Sequence, residues 1–234
     1  MKRYAVIGAS SGTGREIVAA LAARNDAVRA ISRHPLAGSA MVEPYAADVR
    51  DAAAMKEALA GGFDCVFYTV DIHGKKLTRA QIRAVMHEGC VNAMTAAAAG
   101  GAKRFVLLSV MGPQRASWVW WVLNAMKPGM RDNIIAREQA LIGSGLSYVI
   151  CRAPRLQDGV DTVATAAALA GPESGLRLDM RRSIKRGRLA RALIDAADHA
   201  PSDSIWDVFA DKAGPVADWL GGWGGIRSDR RFPD

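Results

Sequence analysis

The sequence predicts an α/β fold: a doubly wound parallel sheet in three layers, α/β/α, formed by a single domain. Three observations predict it. Short apolar runs alternate with helical stretches through the first two-thirds of the chain, which is the signature of βαβ units. The strand segments are apolar nearly throughout, as strands covered on both faces are. The composition is 50% hydrophobic but only 6% aromatic, which suits alanine-rich packed helices better than a β-sandwich. At about 100–200 residues per domain, the 234 residues make one domain, expected to span 1–234.

The elements follow in order. Residues 4–7 read as a strand and 12–24 as a helix. Strands at 27–31 and 42–46 come next. A short helix at 51–59 starts on Asp51, a good N-cap. The β-branched and aromatic run 65–70 is a strand. A long helix is expected over 78–99, with Thr78 at its start and Gly100-Gly101 at its end. Strands at 104–110 and 147–151 flank a helix at 132–142 that Gly143 ends. The last third is less regular, with a helix at 189–197, a late strand at 205–209 and a flexible tail over 221–234.

The net charge is +8 and the sequence pI about 9.8. Such a chain suits nucleic acid, an anionic membrane surface or a phosphorylated small molecule. The three cysteines, Cys65, Cys90 and Cys151, form no CxxC and lie in apolar stretches. They read as buried structural thiols, and no metal site is expected. No apolar run is long enough for a membrane span, and the N-terminus lacks a signal-peptide core. The expected location is the cytoplasm.

The strongest local signal follows the first strand: Gly8-Ala9-Ser10-Ser11-Gly12-Thr13-Gly14. A strand must turn sharply there, backbone must approach a pyrophosphate, and a helix N-terminus must offer free N–H groups. The spacing is GxxxGxG, at a strand-to-helix junction of the Rossmann type, and it predicts dinucleotide binding. The second strand ends Ser32-Arg33 without the acid that would hold an NAD ribose. A hydroxyl and a guanidinium suit a 2′-phosphate, so NADP(H) is favoured over NAD(H). Asp48 and Val49 close the third strand, where they would flank the adenine.

These residues carry a resemblance. The chain resembles the short-chain dehydrogenase/reductase superfamily, in its atypical NAD(P)-binding branch, similar to biliverdin-IXβ/flavin reductases and NmrA-like proteins. The matching segments are 8–14, Arg33, 47–49, the strand 105–109 ending in a serine, 143–148, 152–159, and the late unit at Ser183-Ile184 and 189–193. Together they cover about residues 2–210. In an open α/β sheet the ligand sits beyond the carboxyl ends of the strands, which puts Thr69, Val70, Ser109 and Pro154 near the nicotinamide. The resemblance implies that Ser109 is the family's strand-end serine and that 113–131 is a variable substrate-side segment.

Two features depart from the superfamily. Its main class uses a Tyr-x-x-x-Lys pair to pass a proton to a carbonyl oxygen. None of the four tyrosines here, Tyr4, Tyr45, Tyr68 and Tyr148, has a lysine four positions later. The Arg-Pro expected after the sixth strand is Arg152-Ala153-Pro154. The reading is therefore an NADPH-dependent oxidoreductase that passes a hydride to a small conjugated or aromatic acceptor, such as a flavin, quinone or enone. Positioning supplies the rate and solvent the proton. The alternative is a redox sensor that binds NADP(H) without turnover. A nucleotide-sugar epimerase is disfavoured by the missing pair and by the short stretch after Arg152.

Ser109 and His73 are the candidate catalytic groups; alternatively Ser109 caps its strand and His73 is a solvated loop residue, with Asp71 able to orient it. Met111, Trp118, Trp121 and Arg155 are the candidate substrate contacts. The tryptophan segment reads equally as a pocket wall, a protein or interfacial contact, or an amphipathic helix packed on the core. The basic run 177–191 lacks a nucleic-acid reader motif and reads as a solvated face that steers an anionic cofactor. The expected partner is a small-molecule substrate, with no nucleic acid, and the protein a monomer or homodimer.

Overall fold

A computed structural model describes residues 1–74, 76–159, 164–211 and 213–221. Eight strands form one sheet in the order β3-β2-β1-β4-β5-β6-β10-β8. They are β1 (Arg3–Ile7), β2 (Ala27–Ser32), β3 (Val42–Ala46), β4 (Cys65–Tyr68), β5 (Phe105–Val110), β6 (Tyr148–Ala153), β8 (Thr165–Ala170) and β10 (Ser204–Ala210). All pairings are parallel except β10 with β8. A separate parallel pair joins β7 (Arg155–Gln157) to β9 (Ser183–Lys185). The doubly wound Rossmann-type sheet is therefore the observed fold, with one antiparallel strand at its edge.

Side chains alternate between the two faces, as the two-residue period of a strand requires. Tyr4, Val6 and Phe67 pack with Ile17, Leu21, Leu189 and Leu193 from α1 (Gly12–Ala23) and α7 (Arg186–His199). Ala5, Ile7, Val66 and Tyr68 face Met55, Cys90, Ala93 and Leu141. Those four lie on α2 (Ala52–Ala58), α4 (Gly89–Ala99) and α6 (Met130–Ile142). Asp51 caps α2 by accepting the Ala53 and Ala54 N–H groups. All three cysteines are buried free thiols, and burial pushes Cys90 and Cys151 up to about 12.

The helix expected over 78–99 has three parts. Thr78 opens α3 (Arg79–Arg83) with a capping box to Gln81, a π-helical turn spans Ala84–Glu88, and α4 follows. Gly89 explains the close seat of α4. A β-carbon there would come within 2.6 Å of Val49 Cγ2.

The last third holds the elements that the sequence reading lacked. β8 is the stretch Thr-Ala-Ala-Ala-Leu-Ala, which carries almost no β-branched residue; only pairing with β10 makes it a strand. The stretch 113–131 contains α5 (Trp118–Met126), which packs Val119 and Trp120 over a small satellite core with Met111, Ile134 and Phe209. The expected flexible tail lies, beyond residue 221, outside the described residues. Among the described residues, no helix is long and apolar enough to cross a membrane.

Candidate functional site

The chain leaves β1 in one direction to build β2 and β3, then returns to lay β4 on the other side of β1. Such a reversal opens a crevice beyond the carboxyl ends of the strands. A cleft of about 630 Å³ lies there, within the ~300–1,000 Å³ of small-molecule sites.

The glycine-rich turn forms one wall. Gly8 has φ +89° and Gly12 φ +55°, so both occupy the left-handed region. Gly14 is required by contact instead. A β-carbon on it would lie 2.2 Å from the Gly8 carbonyl oxygen and 2.6 Å from Thr69 Oγ1. Among the described residues no side chain caps α1, and its first turn carries no acid. The Thr13 hydroxyl is buried and has no partner among the described residues. An open helix N-terminus, an orphaned hydroxyl and a cradle that a β-carbon would fill all fit a pyrophosphate. Gly8, Ser10, Ser11, Gly12 and Thr13 line the cleft, and Gly14 supports them.

Ser32, Arg33, Asp48 and Val49 line the adjoining stretch. Arg33 is exposed. The Ser32 hydroxyl donates to the His34 carbonyl at 2.7 Å, so its proton is already engaged. Asp48 accepts from Arg50 Nε and Nη2, at 3.0 and 2.6 Å. These bonds hold its carboxyl below the usual carboxylate range, against the opposing effect of its partial burial. The guanidinium of Arg50 thus joins that of Arg33 at this edge.

The basic run reaches the cleft through one residue that sequence reasoning missed. Arg186 stands at the start of α7 and lines the cleft. Its Nε would lie 3.4 Å from a β-carbon on Gly12, and its Nη1 pairs with Asp158 at 2.6 Å. It is the member of the 177–191 run best placed for a phosphate.

Thr69 and Val70 abut the glycine turn, and Leu108, Ser109, Ala153 and Pro154 carry the lining on past them. Val85 and Met86 of the π-helical turn also line the cleft. Ser109 is 3% exposed, and its hydroxyl donates to Glu138 at 2.5 Å. Arg152 binds the same carboxylate through Nη2 at 2.6 Å. Its other donors reach the carbonyls of Gly171, Pro172 and Ser174. Ser109 thus belongs to a buried polar network that ties α6, β5 and β6 to the 171–174 turn. His73 lines the outer rim with its side chain 81% exposed, 3.8 Å from Asp71. Arg137 lines the inner end and was also missed. The readable signal was its place on the buried stripe of α6 with Ile134, Glu138 and Leu141.

The four expected substrate contacts lie outside the cleft. Met111 is fully buried in the satellite core. On α5, the helical period turns Trp120 inward, where its Nε1–H donates to the Gly112 carbonyl at 2.8 Å. Trp118 and Trp121 therefore face out, 60% and 75% exposed. Arg155 is exposed on β7. None of the four lines the cleft.

Asp207, buried on β10, extends the polar network. Its Oδ2 accepts the Leu176 N–H at 2.5 Å. Burial pushes its carboxyl up to about 6, the Glu138 charge adding and the Leu176 bond and Arg152 opposing. The folded value lies above the unfolded one of about 3.9. The contribution therefore favours folding fully below about pH 4 and is lost as pH rises to 6. Asp207→Asn is expected to flatten that fall, as urea midpoints at pH 3.5 and 7 (~, either side of the transition) would show.

A sequence profile described as NAD(P)H-binding matches residues 8–200. No curated protein matches significantly. Solved structures do. The anaerobillin reductase of Escherichia coli O157:H7 is 19% identical at TM-score 0.67, over 92% of this chain and 100% of that one. A wide-type short-chain dehydrogenase/reductase from Veillonella parvula, in complex with NADP, is 14% identical at TM-score 0.70, over 88% and 94%. The enzyme WbmH of Bordetella bronchiseptica, in complex with NAD+, is 16% identical at TM-score 0.67, over 90% and 77%. At these identities the likeness is one of fold. The profile spans most of the chain and agrees with the glycine-rich cradle, and the protein belongs to the NAD(P)H-binding family.

Proposed function

We propose that the protein is a reductase that uses NADPH in preference to NADH and passes a hydride to a small conjugated or aromatic acceptor. The observation that carries the reading is a dinucleotide cradle joined to an inner cleft without a tyrosine acid. Tyr4 and Tyr68 are fully buried, and Tyr148 is 8% exposed. The Tyr68 hydroxyl donates to the Val85 carbonyl at 3.2 Å. No tyrosine lines the cleft. Ser109 has its proton engaged by Glu138. A bound dihydronicotinamide supplies the hydride, and the protein's part is to hold the two reactants together in a shielded place. Effective molarities from such positioning account for large rate gains without an enzyme acid.

Arg33, with Arg50 beside it, supports the preference for a 2′-phosphate. Arg33→Asp is expected to weaken NADPH binding at least ~10-fold, the scale of one lost charge-assisted bond, and to leave NADH binding within about threefold. Unchanged NADPH affinity would remove the 2′-phosphate from this edge.

The experiment that tests the function is NADPH consumption against flavins, quinones and enones. The missing acid also fits a redox sensor. Tight NADPH binding with no consumption by any acceptor would favour that second reading.

A further inference from the structure

We propose that Arg137 is the oxyanion-binding group of this site, so that the acceptor is a conjugated carbonyl compound whose oxygen gains negative charge on reduction. The inference rests on the reductase reading above. Two buried arginines near the cleft differ in their partners. Arg152 has all three nitrogens engaged, with Glu138 and three backbone carbonyls as partners. Arg137 is 2% exposed, and its Nη2 donates to the Leu108 carbonyl at 3.2 Å. Its Nε and Nη1 find no partner among the described residues.

A guanidinium cannot escape its charge by losing a proton. Buried without a carboxylate, it is a standing cost unless a ligand answers it. The adjacent carboxylate, Glu138, is taken by Arg152 and Ser109. Tyr68 and Cys90 also interact electrostatically with Arg137, and burial keeps both protonated. The wall therefore holds a buried positive charge with two nitrogens unpartnered among the described residues. Arg137 lines the cleft with Ser109, and its bond to the Leu108 carbonyl places it at β5, two strands from β1 and the glycine cradle that follows it. The anion that answers it belongs to the acceptor.

The chemistry balances. A hydride adds to the electrophilic carbon of the enone or quinone. The carbon–carbon π pair shifts toward the carbonyl, and its oxygen becomes the enolate or quinolate oxygen. The Arg137 N–H groups hold that oxygen until solvent supplies one proton. Donors fixed in a dry wall bind such developing charge far better than water does.

The test uses the full chain with NADP+ bound, 4-nitrophenol as a probe of the oxyanion site, and the variants Arg137→Met and Arg137→Lys. The wild type is expected to hold the phenol as its phenolate below the phenol's solution pKa. Arg137→Met should lose that ionisation and Arg137→Lys keep part of it. Arg137→Met should also lower enone turnover about 100-fold, the scale of a lost oxyanion donor, with NADPH affinity within about threefold. It should melt no lower than wild type, since a buried charge has been removed. Equal phenol ionisation in wild type and Arg137→Met, failure of the wild type to bind the phenol, or a large drop in melting temperature for Arg137→Met overturns the assignment. A wild type that holds no NADPH fails the reductase reading itself. One that holds NADPH and leaves the phenol unionised fails Arg137 alone.

Discussion

Replacing Glu138 by alanine is expected to destabilise the fold by about 3–5 kcal/mol, the range for breaking a buried ion pair from one side. The carboxylate and the Arg152 guanidinium are both essentially inaccessible, with side chains 2% and 0% exposed. Removing Glu138 leaves Arg152 charged in a dry interior. It also frees the Ser109 hydroxyl, which has no other acceptor among the described residues. Glu138→Gln should cost less, because it keeps the shape and one acceptor oxygen, at the Oε1 position that Ser109 and Arg152 Nε both reach. Urea unfolding of the two variants measures both. A loss under about 1 kcal/mol for Glu138→Ala, the scale of a surface pair, would mean that the pair is not isolated from water.

Gly14→Ala is expected to abolish dinucleotide binding, with affinity falling at least ~100-fold, as misplacements near 1 Å in a positioned site do. The added methyl would meet the Gly8 carbonyl oxygen at 2.2 Å, and backbone cannot yield as a flexible side chain can. The turn must shift, and with it the N–H groups of the α1 N-terminus. Gly12 makes the useful comparison. Among the described residues its β-carbon would meet only the Arg186 side chain, at 3.4 Å, so Gly12→Ala is limited by its positive φ. Fluorescence titration with NADPH separates the two, and thermal melting shows whether either variant still folds.

The fold was legible because its signals are local. The apolar strands β1, β4 and β5 and the glycine turn after Ile7 declare a parallel sheet and a phosphate cradle within a few residues each. Strand β8 was not legible, since Thr165–Ala170 is a strand by virtue of its pairing with β10. The cradle side of the site was read residue by residue for the same reason as the sheet. Past it, Thr69, Val70, Ser109 and Pro154 were read too and line the cleft, but the place of the tryptophans and of Arg137 was not. Helical phase decided it on α5, where Trp120 turns in and Trp118 and Trp121 turn out. Charge partnership decided it on α6, where Glu138 and Arg137 sit side by side in sequence yet differ wholly in their partners. Arg186 reaches the Gly12 turn only because α7 packs beside α1. That contact joins residues far apart in the chain, and part of the basic run thereby gains a place.

The central claim is direct hydride transfer to an acceptor carbon without a tyrosine acid. Its most direct test is reduction of an enone with NADPH carrying deuterium at the transferable position of C4. Deuterium is expected at the β-carbon of the product and a solvent proton at the α-carbon, with Ser109→Ala and His73→Ala transferring the label as completely as wild type. An unlabelled product carbon, or transfer that stops with either variant, would contradict it.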